Sequence, residues 1–199
     1  MKPERILLRS DGDLRRRRLA VLFRGVLVLP HYVVLSVWTL LAAIVLPVSW
    51  VIAIVIGRVP APFHRFLAAY LRYTGHVVAW LDLLAGRYPS VRRRGDYPFE
   101  ISVPRPQRQR RLVTLLRVVL AVPALVLSSV FGVILATLAL GAWFVALILG
   151  RMTAGMQELG TFCLRYQLET LAYLLLLTSA YPKLEPPPVP KQLLIPGLE

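Results

Sequence analysis

The chain has 199 residues, 57% of them hydrophobic, and a formal net charge of +14. A soluble domain usually holds about 45–50% apolar residues, so this composition, with a mean hydropathy of +0.63, argues against an ordinary soluble domain. A single cysteine, Cys163, excludes an intramolecular disulfide, and His31, His64 and His76 are too scattered for a metal-ligand spacing, so no metal or cofactor is expected.

The chain opens on RILLRS (5–10), whose alternation permits a short strand. The basic cluster LRRRRL (14–19) follows, with Arg15, Arg16, Arg17 and Arg18. Such a cluster attracts anionic headgroups by about 1 kcal/mol per well-placed charge. RRLAVLFRGVLVLP (17–30) then suggests an interfacial helix that bends at Pro30 into the bilayer, with Arg24 reaching back to the headgroups. His31 is expected at the interface.

Between Arg24 and Arg58 no charged residue occurs, a gap of 33 residues. About 20 residues suffice to cross a bilayer core, and the run is too long for a cleaved signal peptide. The expected span is 31–56. After GR (57–58) comes a stretch that is apolar on one face: Phe66, Tyr70, Tyr73, Val77, Trp80 and Leu84 step by four and three. Its other face carries Arg65, Arg72 and His76. YP (88–89) ends it, because the residue before proline avoids the helical region. VRRRGD (91–96) adds Arg92, Arg93 and Arg94 to the headgroup-contact set.

From here the chain repeats itself, without a gap, at an offset of 93 residues. FEISVP (99–104) answers the first short strand. Arg117 falls on Arg24, Pro123 on Pro30, Trp143 on Trp50, and GR (150–151) on GR (57–58). LRYQLETLAYLLLLTSAYP (164–182) answers LRYTGHVVAWLDLLAGRYP (71–89). Apolar coincidence aligns leucines and valines; it does not align Trp, Pro, Gly-Arg and Tyr-Pro at one offset. The repeat predicts a duplicated membrane unit, with residues 1–92 and 93–182 as the copies and 183–199 as a Pro-rich tail.

The expected class is an all-α integral membrane protein with about four transmembrane helices and short cytoplasmic strand-like segments. Nineteen of the 24 Lys and Arg residues lie in the tails and central linker, which puts both termini in the cytoplasm by the positive-inside rule. The alternative folds each uncharged run into a hairpin broken near Pro47 and lays the charged helix flat on the interface. In the four-span arrangement the copies are parallel and equivalent positions share a depth. Arg65 then meets Glu158, Arg72 lies level with Arg165, and His76 meets Glu169. This inter-repeat charged seam is read as a clasp between the copies, or alternatively as the lining of an ion path.

Several phrases resemble the bacterial DUF4389 membrane domain. LFRGVLVLPHYVVL followed by GRVP carries the likeness in the first copy, and LRYQLETLAYLLLLTSAYP in the second. DYPFEISVP resembles that family's linker. The Pro-His step becomes VPAL in the second copy, and GRVP becomes GRMT. The resemblance implies a prokaryotic, inner-membrane protein, covers nearly the whole chain as a tandem pair, and implies no catalytic activity.

No nucleophile–base pair or phosphate loop is legible, so the expectation is a non-enzyme. The expected role is a membrane assembly or partner-recruiting module on anionic lipid, with a protein partner or a second copy of itself, and no nucleic acid. The alternative is a small transporter or channel subunit that uses the charged seam.

Overall fold

The computed structural model describes residues 7–10, 14–89 and 99–184. Arg92, Arg93, Arg94 and the Pro-rich tail beyond Leu184 lie outside the described residues. In chain order the elements are β1 (Leu7–Ser10), α1 (Arg18–Leu22), α2 (Arg24–Leu27), α3 (Leu29–Ile56), α4 (Ala61–Leu81), β2 (Phe99–Ser102), α5 (Arg111–Leu115), α6 (Arg117–Leu149) and α7 (Ala154–Leu174). The order β-α-α-α-α is traversed once and then again, with α6 running through what are two helices, α2 and α3, in the first copy.

The long helices follow from the uncharged runs, which contain nothing to interrupt burial or lipid contact. Segments Arg24–Ile56 and Arg117–Leu149 are each long and apolar enough to cross a membrane. Pro30 sits in the first turn of α3, where its missing N–H costs nothing, while Pro47 and Pro123 are carried inside helices. Both runs end on a glycine in the left-handed region, Gly57 (φ 80°) and Gly150 (φ 69°), which explains the repeated Gly-Arg step. The helices α4 and α7 are shorter, 21 residues each. They are also the most buried: Leu67, Leu71, Ala79, Cys163 and Ala172 are almost fully covered.

Neighbouring helices are antiparallel at every step. His31 on α3 meets Tyr73 on α4, and Trp38 meets Phe66. Phe131 on α6 meets Tyr166 on α7, and Gly141 approaches Met156. Between the copies, Gln157 at the start of α7 reaches Leu84 beyond the end of α4, and the ring of His64 at the start of α4 reaches the Leu177 carbonyl beyond α7. The outer helices pack chiefly elsewhere, α3 on α4 and α5, and α6 on α7 and α1.

Contacts between the copies come in reciprocal pairs. Trp50 Nε1 donates to the Thr114 carbonyl at 2.8 Å, and Trp143 Nε1 donates to the Val21 carbonyl at 3.0 Å. The Gln109 amide donates to Gly57 at 2.9 Å, and the Arg16 amide donates to Gly150 at 2.8 Å. β1 and β2 pair antiparallel with Leu8 opposite Ile101, its own counterpart 93 residues on. These are the marks of an isologous, two-fold interface built within one chain. Because α4 and α7 run in opposite directions across it, the axis stands perpendicular to the helices. This corrects the parallel arrangement read from sequence. A repeat fixes which positions are equivalent; it does not fix the symmetry operator.

Candidate functional site

Each copy closes its helical hairpin with the same clasp. After α4 the chain turns through Leu83 at φ 64°, and after α7 through Leu176 at φ 61°. A left-handed leucine costs roughly 1–2 kcal/mol. It is held because both side chains are 1% exposed and both carbonyls are bonded. Arg16 Nε donates to Leu83 O at 2.7 Å, and its counterpart Gln109 donates from Nε2 to Leu176 O at 2.8 Å.

An arginine sits beneath each clasp. Arg24 lies 4.6 Å from the Trp80 ring centre and donates to the Ala85 carbonyl at 3.3 Å. Arg117 lies 4.3 Å from the Tyr173 ring centre and donates to the carbonyls of Tyr173 (2.9 Å) and Thr178 (3.1 Å). Arginine suits this place because one planar fork stacks on a ring and satisfies carbonyls at a helix end together.

Three of the arginines assigned to lipid headgroups therefore turn inward. Arg16, Arg24 and Arg117 are 5%, 3% and 2% exposed. The carbonyls left open where α4 and α7 end in buried turns require donors, and these side chains supply them. Arg15, Arg17 and Arg18 stay exposed, Arg15 bridging to Arg151 through its backbone and Arg18 donating to the Ile148 carbonyl at 2.9 Å. His31, expected at the interface, is also buried: its Nδ1 lies 2.6 Å from the Tyr73 hydroxyl and its ring 4.6 Å from that of Tyr88.

The charged faces of α4 and α7 do not meet as the sequence spacing suggested. Arg65 and Glu158 are exposed, each near the start of its own helix. Antiparallel packing puts those starts at opposite ends, so the two do not pair. Arg72 is half-buried and donates from Nε to the Ile101 carbonyl of β2 at 3.2 Å. His76 lies one turn further along, half-buried. Arg165 and Glu169 form a pair within α7 at 3.7 Å, with side chains 9% and 10% exposed, and Glu169 Oε2 accepts from the Lys183 amide at 3.3 Å.

Asp82, which sequence reading passed over, ends α4 within electrostatic reach of Arg24. Burial pushes its carboxyl up to about 7, against the opposing pull of that guanidinium. Its counterpart is Leu175, so no repeat signal marked it. The pairing of Arg24 with Trp80 was legible in principle: an arginine and an aromatic 56 residues apart recur as Arg117 and Tyr173.

No curated protein and no solved structure matches the chain. Residues 18–91 and 111–184 each match the family described as a domain of unknown function, DUF4389. The two matches take in all four long helices, both left-handed leucines, and Arg24 and Arg117, while the donors Arg16 and Gln109 fall just before them; the chain belongs to this family as a tandem pair of its domain.

Proposed function

We propose that the chain is a non-catalytic module of the bacterial plasma membrane that lies in one face of the bilayer, grips anionic lipid, and recruits a protein partner or a second copy there. One observation carries this reading: the outer faces of α3 and α6 are apolar and exposed, while both ends of the molecule are basic. Val33, Leu40 and Ile44 on α3, and Val119, Val133 and Leu140 on α6, are all more than 60% exposed. Apolar patches on this scale mark a surface meant to be covered.

The two-fold axis supports this placement in the bilayer. Gly57 and Gly150 lie at opposite ends of the helical layer. Exposed Arg58, Arg108, Arg110 and Arg111 gather at the first end, and Arg15, Arg17, Arg18 and Arg151 at the second. Helices crossing the membrane would put these clusters on opposite sides, against the positive-inside rule. They would also put β1 and β2, which lie over the middle of α4 beside Gly75 and Arg72, at hydrocarbon depth, where open strand edges are not tolerated. Helices lying in the membrane plane avoid both costs. α3 and α6 then sink into the acyl region, and both basic ends rest on the same headgroups.

A conduit between the copies, the competing reading, needs a polar path along the seam of α4 and α7. That seam is filled instead: Gly75 is pressed by Ile101 and Leu168, and Gly160 by Leu84 and Leu135.

The test uses a Cys163→Ser background with R58C or R151C introduced singly and a membrane-impermeant maleimide added to inverted and right-side-out vesicles. Both sites are expected to label from the same, cytoplasmic side. Labelling from opposite sides would overturn the in-plane placement, and failure to float with phosphatidylglycerol vesicles would overturn the membrane role.

A further inference from the structure

One of the buried differences between the copies opens a space. In the first, the His31 ring fills the space between Tyr73 and Tyr88 and takes the Tyr73 hydroxyl as its partner. In the second, the tyrosines persist as Tyr166 and Tyr181, but Ala124 stands in place of His31. A groove of about 580 Å³ opens there, lined by Pro123, Leu127, Tyr166, Tyr181, Pro182 and Lys183 among others. Tyr166 is 3% exposed. Its hydroxyl, the equivalent of the one that holds His31, makes no hydrogen bond with the described residues. Tyr166 lines the groove, so its hydroxyl offers a donor to an acceptor placed there.

We infer that this groove binds a single-chain lipid by its oxyanion head, with Tyr166 and Lys183 on the head and the chain along Leu127. The surrounding charge favours an anion. Arg165 precedes Tyr166, Arg117 stacks on the neighbouring Tyr173, and Lys183 stands at the mouth, with Glu169 the opposing charge. The chain has a path to follow. At helical spacing Pro123 and Leu127 continue into Val130 and Ile134, which are 49% and 37% exposed. The head could be the phosphate of a lysophospholipid or the carboxylate of a free fatty acid; the shared chemistry is an oxyanion on one acyl chain. The inference rests on the membrane placement above for the source of its ligand, but binding itself needs no bilayer.

Full-length protein in a neutral maltoside detergent is titrated with lysophosphatidylglycerol and, separately, with oleate, and followed by calorimetry and native mass spectrometry. One site is expected, filled more tightly by one of the two, which identifies the source. A124H copies the histidine of the first copy into the groove and should weaken binding at least tenfold without lowering the melting temperature. Y166F should weaken it about tenfold by removing the donor. If A124H fails to fold, L127W blocks the same floor and should give the same loss. Absence of binding to either lipid, wild-type affinity in the folded blocking variant, or equal affinity for inorganic phosphate alone would each overturn the inference. A protein that floats with vesicles yet shows none of this binding loses the groove and keeps the membrane role.

Discussion

Gly75 faces Leu168, its own counterpart 93 residues on: a Cβ at Gly75 would stand 3.2 Å from both methyl carbons of that leucine. Two equivalent residues can touch only where the axis relating the copies passes between them. The axis therefore runs through the middle of the α4–α7 contact and on through the paired strands, where Leu8 lies opposite Ile101. A glycine facing a leucine is how a nearly symmetric interface fills one shared space without collision.

Exchange of these two residues tests the axis. G75L puts two leucines into space for one, and overpacking of this kind costs about 1–3 kcal/mol. The double change G75L with L168G restores one leucine to the contact. Its melting temperature in detergent should recover part of the loss seen in G75L, the remainder persisting because a Cβ at residue 75 also meets Ile101 Cδ1. A double variant less stable than either single would show that the two residues do not share a space.

The buried arginine of the second clasp predicts a substitution that charge alone does not rescue. R117A leaves the carbonyls of Tyr173 and Thr178 without their donors and should cost about 2–4 kcal/mol. R117K keeps the charge but cannot stack and fork together, and should regain less than half of that. Denaturant titration of both variants gives the comparison. Full recovery by lysine would mean the site reads charge only.

Asp82 gives the fold a pH dependence of definite sign. Its carboxyl is raised from 3.8 to about 7 by burial. Between those values the unfolded chain has released the proton and the folded chain has kept it. Stability therefore falls as pH rises through this window, by about 1.4 kcal/mol per unit of separation at most, and levels off above it. D82N removes the group, so its melting temperature should fall less steeply over about pH 5–8 than that of the wild type. Equal slopes would place the titration elsewhere.

Arg65 and Glu158 should behave as strangers. They occupy equivalent positions, but antiparallel packing sends them to opposite ends of the helix pair. Reversing each charge singly and then both should give effects that add within about 0.5 kcal/mol. A double reversal that rescues either single would restore the parallel pairing suggested by sequence spacing.

The amino-acid sequence by itself determined the duplication, the helical hairpin of each copy and the places where the long helices end. Uncharged runs and Gly-Arg steps are local signals, and local chemistry sufficed to read them. The short strands were legible for the same reason. The Tyr-Pro steps misled, because α4 and α7 stop at Leu81 and Leu174, in the buried turns that precede Tyr88 and Tyr181. What only the tertiary structure decided was how one copy faces the other, and so which charges meet. An offset of 93 residues is satisfied equally by parallel and antiparallel partners, because equivalence along a chain carries no direction in space. The fates of Arg16, Arg24 and Arg117 were hidden likewise. An arginine side chain can reach outward or turn in to carbonyls, and the choice fell to the open carbonyls of Leu83, Ala85, Tyr173 and Thr178, which come near those side chains only once each hairpin has closed.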